Sequence, residues 1–169
     1  LRVHYGFSRY ALFGGSWGAT LALLYAYREP GHCLGIVLRG IFLNTENNLH
    51  WLYGDGASSM FPAAWADFTA PINQSLGSIN DVLTAYAKLL HAEDEFTRLQ
   101  AARAWNLWEY RLSVADSQAT QARKTRPSNE LSNAQIEHHY LSQYCFFDPK
   151  LFDRPNAELD AIPIYLLHG

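Results

Sequence analysis

The apolar positions change period twice within the first forty residues. Tyr10–Phe13 and Leu34–Leu38 are short unbroken apolar runs, the pattern of strands covered on both faces. Between them Trp17–Arg28 spaces its apolar residues as a helix does and is closed by Pro30-Gly31. Strand, helix and strand in that order predict a right-handed β-α-β crossover with parallel strands. A third apolar run, Ile162–Leu167, predicts a return to the same sheet. From about Asn44 to Asp153 the spacing is helical and tryptophan and alanine become frequent. Helices are predicted over Asn80–Ala92, Asp94–Leu112 and Asn133–Tyr144, the last with Ser132 or Asn133 as N-cap. Ser113–Ser132 is polar, contains Arg126-Pro127-Ser128-Asn129, and is predicted to be an exposed connection. The expected class is α/β: a core segment over 1–43, a mostly helical insertion over 44–153, and a return to the sheet over 154–169. No internal repeat interrupts this plan.

The junction of the first strand and helix reads Gly14-Gly15-Ser16-Trp17-Gly18. Glycine-x-serine-x-glycine is a weak signal by itself, but a buried strand before it and a helix after it are the context in which it means a nucleophile elbow. There a tight turn pushes the serine out above the sheet, and small residues two before and two after it let the backbone pass. Ser16 is therefore the candidate nucleophile, with Gly14, Gly15 and Gly18 shaping the turn. The alternative is a glycine-rich turn carrying an ordinary serine.

Composition narrows the partners. With 49% hydrophobic and 14% aromatic residues the chain can build a packed core, and disorder is excluded. A net charge of −3 gives no basic excess, and the one cationic cluster, Arg123-Lys124-Thr125-Arg126, has no interleaved aromatics, so no nucleic-acid partner is expected. No apolar run approaches bilayer length, so a soluble segment without a membrane partner is expected. Cys33 and Cys145 are too few for a disulfide framework and are expected as buried free thiols rather than a bridge. His138-His139 does not make a metal site, because adjacent helical residues point about 100° apart and no matching ligand spacing follows. Neither metal nor organic cofactor is expected.

Two acids fall where apolar side chains belong. Glu109 follows Trp105 by four residues, on the edge of a stripe through Ala101, Trp105, Trp108 and Leu112. Glu137 is three residues after Ala134, four before Leu141 and seven before Tyr144. Each could pair with an arginine, Arg103 or Arg111, or reach water at a helix edge. Taken together, two inward acids could instead hold a ligand's ammonium group, since unpaired carboxylates in a low-dielectric pocket gain more from a cation than they would in water.

The elbow followed by Thr20-Leu21-Ala22-Leu23, the stretch Leu38-Arg39-Gly40-Ile41-Phe42, the run from Trp51 through Gly56-Ala57-Ser58 to Phe61-Pro62 and Trp65, Ala101-Ala102 with Trp105, Trp108 and Glu109, Ile136-Glu137 with His139-Tyr140, and Ile162-Pro163 to His168-Gly169 together resemble the proline iminopeptidases. These are serine aminopeptidases of the α/β-hydrolase fold, and the resemblance runs across almost the whole chain. It implies a partial α/β-hydrolase fold in which 44–153 is a cap, and peptides with a free N-terminal proline as substrates. It further implies Ser16 as nucleophile, the Trp17 amide as an oxyanion-hole donor, Glu109 and Glu137 as receptors of the substrate's amino terminus, and Phe42 as an aromatic of the proline pocket. A cytoplasmic location is what the family most often shows.

Leu52 and Leu141 depart from the pattern, standing where some members carry an aromatic, which points to a looser or differently shaped ring pocket. By the same resemblance the oxyanion loop lies before Leu1, and the catalytic aspartate and histidine lie after His168-Gly169. The chain is thus expected to be an internal fragment, inactive alone. Asp148, Asp153 and Asp160 precede the last strand and are expected as loop acids, because this fold orders its triad serine, acid, histidine. An esterase or another aminopeptidase of the same fold, or a noncatalytic binding protein built on it, remain the alternatives. The oligomeric state is not specified by the sequence.

Overall fold

The computed structural model describes residues 2–76, 81–113 and 129–168. These form two compact units, one from the stretches 2–44 and 148–168 and the other from Thr45–Phe147. The second changeover falls earlier than the expected 153. Pro149–Asp153 is a 3-10 turn, and Phe152 within it sets its ring on Tyr27 of the first unit, with centroids 6.4 Å apart.

In the first unit, β1 (Tyr10–Ser16), α1 (Trp17–Arg28) and β2 (Cys33–Ile41) make the expected crossover, and β3 (Ile164–Leu167) joins a three-stranded parallel sheet in the order β1-β2-β3. β1 and β2 run past their apolar cores, through Gly14-Gly15 and Arg39-Gly40, because the ladder between them continues to Ser16 opposite Ile41. β3 begins later than predicted. Pro163 cannot donate to a ladder, but its carbonyl accepts from the Ile36 amide at 2.9 Å, so pairing opens there. Ala19, Ala22 and Ala26 of α1 lie on Cys33, Ile36 and Leu38, small residues letting the helix sit close to the strands.

The second unit is helical: α2 (Glu46–Tyr53), α3 (Asp55–Met60), α4 (Pro62–Leu76), α5 (Val82–Leu90), α6 (Glu95–Ser113) and α7 (Glu130–Ser142). Back in the first unit, a single turn, α8 (Ala157–Asp160), precedes β3. The core of the second unit is aromatic. Phe68 stacks on Tyr86 and on Trp108 at 4.7 and 5.1 Å, and Tyr53 stacks on Trp105 at 5.1 Å. Rings of this size each remove roughly 150–250 Å² from water, which is how a few short helices acquire a core.

α7 corrects the sequence reading. It starts at Glu130, leaving Ser132 and Asn133 inside the helix rather than capping it. Contacts from α6 carry it backward: Arg103 pairs with Glu130 at 3.2 Å, and the Asn106 amide donates to the Glu130 carbonyl at 2.8 Å. Most of the connection predicted over Ser113–Ser132 lies outside the described residues, and its last residues, Glu130–Ser132, are helical.

Candidate active site

Ser16 ends β1 and caps α1 with φ 52° and ψ −124°, a conformation that costs a non-glycine residue about 1–3 kcal/mol. The ladder irregularity between Gly15 and Ser16 marks the bend. The Ser16 side chain makes no capping bond to the helix amides and is exposed, so the turn holds its hydroxyl out at the carboxyl end of the sheet. The close approach that demands glycine is at Gly14: a Cβ there would overlap the Gly18 carbonyl and lie 2.7 Å from the Ala19 nitrogen. A Cβ at Gly18 would meet open space, and one at Gly15 would make an ordinary contact with Arg39, so the steric demand is one-sided.

Trp17 is the first residue of α1, where the backbone amide has no intrahelical acceptor and adds to the positive end of the helix dipole. Phe42 follows β2 at the same end of the sheet and is half-buried; its carbonyl accepts from the buried Thr20 hydroxyl, which ties the first turn of α1 to the strand end. His168 follows β3 at the third strand end and is exposed. Ligands of open parallel sheets bind at such carboxyl ends.

The second unit brings Glu109 and Glu137 together from α6 and α7. The Tyr53 hydroxyl donates to Glu109 Oε1 at 2.5 Å, and the Trp105 indole N–H donates to Glu137 Oε2 at 2.9 Å. Neither acid has an ion pair among the described residues. Arg103 is taken by Glu130, and Arg111 by Asp67 at 2.7 Å, so the arginine pairings open to these acids in the sequence are not made. The consequence is electrostatic. Burial, and then the charge of Glu137, push the Glu109 carboxyl up to about 7 against the pull of the Tyr53 bond; burial also raises Glu137 against the pull of Trp105. Two partly accessible carboxylates thus repel each other, with only uncharged donors for company among the described residues.

Tyr53 and Trp105 are the residues that sequence reasoning passed over. Trp105 belongs to the apolar stripe by its ring, yet its indole N–H is also a donor, and it reaches Glu137 of α7 rather than Glu109 on its own helix. Tyr53 lies inside the stretch from Trp51 to Gly56 and gave no signal of its own. His138 is buried, hydrogen-bonds the Leu83 carbonyl through Nε2 at 2.8 Å and is lowered by burial, whereas His139 is exposed. Among the described residues no group of three or more His, Cys, Asp or Glu could hold a metal ion. Cys33 and Cys145 are free and buried. Asp148, Asp153 and Asp160 are exposed, Asp148 capping the 3-10 turn after it. Leu52 is half-buried, its carbonyl accepting from the Trp108 indole at 3.2 Å, and Leu141 is buried. Among the described residues no helix is long and apolar enough to cross a membrane.

The chain is similar to proteins named proline iminopeptidase. It is 40% identical over 174 residues to that of Xylella fastidiosa strain 9a5c, covering all of this chain and 54% of the relative. The protein of that name from Xanthomonas citri is 36% identical over 174 residues with the same coverage, and that of Arabidopsis thaliana is 37% identical over 158 residues, covering 90% of this chain and 41% of the relative. The chain thus spans about half the length of the curated relatives it matches. The family model described as alpha/beta hydrolase fold matches residues 1–169 throughout. Together with the parallel sheet and the bend at Ser16, this match places the chain in the α/β-hydrolase-fold family.

Proposed function

We propose that the protein containing this chain is a serine aminopeptidase that releases proline from the amino terminus of peptides. The observation that carries the reading is the pair Glu109 and Glu137: inward carboxylates of a hydrolase-fold chain, held by neutral donors and without a cationic partner among the described residues. Such a pair is incomplete electrostatically until a ligand brings positive charge. A prolyl terminus brings a secondary ammonium with two N–H donors, one for each acid. An internal peptide bond brings none, which restricts attack to the terminal residue.

In this reading Ser16 Oγ attacks the prolyl carbonyl carbon and its proton passes to a histidine that the family resemblance assigns outside these 169 residues. The Trp17 amide donates to the oxyanion at the positive end of α1. The C–N bond then breaks, the same histidine returns the proton to the leaving amine, and water hydrolyses the prolyl ester of Ser16. Phe42 packs against the proline ring. By the family resemblance Leu52 and Leu141 stand where some members carry an aromatic, which points to a looser or differently shaped ring pocket.

The test compares prolyl and alanyl arylamides with a simple ester on the intact gene product. Prolyl turnover is expected to lead the ester by at least about tenfold, since leaving the two acids without a donor costs ~1–3 kcal/mol, and to lead the alanyl substrate, whose ammonium serves both acids, through the ring contact, worth about 1–3 kcal/mol in an apolar pocket. Ester turnover equal to prolyl turnover would move the assignment to an esterase. No turnover of any of them, with retained binding of a prolyl peptide, would indicate a noncatalytic binder.

A further inference from the structure

The two acids are served by one construction. Tyr53, the last residue of α2, lies nearly parallel to Trp105 of α6, with ring planes 18° apart and centroids separated by 5.1 Å. Both rings are buried, and each donates one hydrogen bond to one carboxylate, Tyr53 to Glu109 and Trp105 to Glu137. Tyr86 meets Trp105 edge-on at 5.1 Å and His138 does so at 5.5 Å, so the indole is fixed from α5 and α7 as well.

We infer that Tyr53 and Trp105 are positioning residues: their stack supplies each carboxylate with a single uncharged donor and so holds both as acceptors for one ligand ammonium. This rests on the aminopeptidase reading. An arginine in either place would orient an acid equally well but would cancel the charge the ligand must answer. A neutral donor fixes the carboxylate and leaves its charge in place. Tyr53 keeps its proton throughout, because burial and then the two acids push its hydroxyl far above the ordinary range.

Among the described residues, other titratable groups on the neighbouring helices are held or neutral. From α7, His138 is lowered by burial and bonded to Leu83; from α4, Asp67 is held by Arg111; from α5, Tyr86 donates to the Phe68 carbonyl at 2.7 Å. Cys145, which acts on Tyr53, has its thiol pushed up to about 11 by burial and is uncharged near neutrality. After burial, which acts most strongly on both acids, their ionisation therefore depends on the two ring donors and, at Glu109, on the charge of Glu137.

The experiment uses the intact gene product and a prolyl arylamide, with Tyr53→Phe and Trp105→Phe as variants. Both keep an aromatic ring in the stack and remove only the donor. Tyr53→Phe removes a bond that lowers Glu109, so the acid limb of kcat/KM is expected to move to higher pH. The loss should be about tenfold or more at pH 6.5, as for a hydrogen bond to a charged group, carried by KM and shrinking toward pH 9. Trp105→Phe should shift the limb in the same direction through Glu137. A loss equal at every pH, with kcat falling alongside, is the mark of a packing defect and overturns the inference. Should Trp105→Phe fail to fold, Tyr53→Phe decides alone, its melting temperature showing that the fold is retained. Glu109→Gln and Glu137→Gln separate the two levels: undiminished prolyl turnover in both would overturn the aminopeptidase reading, whereas a loss in both with no pH shift in Tyr53→Phe overturns only the positioning role.

Discussion

At Glu109 the demands of stability and binding oppose each other, and the sign follows from the raised carboxyl. Its proton is held up to about 7 in the folded protein and leaves near 4.5 in an ordinary environment. The folded state is therefore favoured fully below about 4.5, and that contribution is lost as pH rises through about 7. Glu109→Gln keeps an acceptor for Tyr53 and removes the repulsion with Glu137. The variant is expected to melt at about the wild-type temperature at pH 4.5 and above it at pH 8, where it is more stable by on the order of 1–3 kcal/mol. Thermal melts of the intact protein at the two pH values check this, and a variant less stable at pH 8 would show that the charge is not a burden. Gly14 gives the opposite kind of residue, one with no latitude. Gly14→Ala drives its methyl into the Gly18 carbonyl, backbone against backbone, and is expected to abolish the elbow, whereas Gly18→Ala, which meets open space, should be far better tolerated. Soluble yield and labelling of Ser16 by a serine-directed fluorophosphonate distinguish the two.

Among the elements, those legible in the sequence were the ones whose signals are local. Trp17–Arg28 was readable because two glycines precede it and Pro30 follows, and α6 because one apolar stripe runs its length. What could not be read depended on partners far along the chain. α7 begins at Glu130 because Arg103 and Asn106 of α6 reach it, and nothing in Glu130-Leu131-Ser132 announces that. α4 contains Pro71, which lowers any helix expectation, yet the residue is buried within a helix that packs on α6. The acids at 109 and 137 were visible as misplaced charges, while the donors were not, since a ring's hydrogen-bonding role shows only once its neighbours are placed. α2 carries Tyr53 at its far end and is only eight residues long, so its cap matters. The Thr45 hydroxyl accepts from the Asn48 amide at 3.2 Å, and Asn48 Oδ1 accepts in return from the Thr45 amide at 3.4 Å. Thr45→Ala is expected to cost about 1 kcal/mol, with Thr45→Ser recovering most of it. Paired chemical-denaturation curves measure the difference, and an equal loss in both variants would place the effect in the threonine methyl instead.

For the molecule as a whole, the sheet presents an asymmetry with a consequence in solution. α1 covers one face of β1 and β2, where Leu12, Ile36 and Leu38 lie, and leaves the other row bare. In register, Phe13 stands opposite Val37 and Val37 opposite Tyr165, and Phe13 is 74% and Tyr165 66% exposed. β3 also adds Leu167, 54% exposed, to this row, whereas Ile164 and Leu166 stand opposite Ile36 and Leu38 on the other face and are exposed there. Three adjacent parallel strands with an apolar row in water are a template for association, and the 169 residues by themselves are expected to self-associate and to bind an apolar dye. Phe13→Lys with Tyr165→Lys should suppress both, measured by light scattering and dye fluorescence. In a protein of the relatives' length, by contrast, the same two lysines are expected to destabilise, because a strand row this apolar is suited to burial and each lost aromatic burial costs roughly 1.5–3 kcal/mol. Opposite signs in the two contexts identify the row as interior surface. Suppressed association without any loss of stability in the longer protein would show instead that this face is exposed there too, and that its aromatics serve something other than the core.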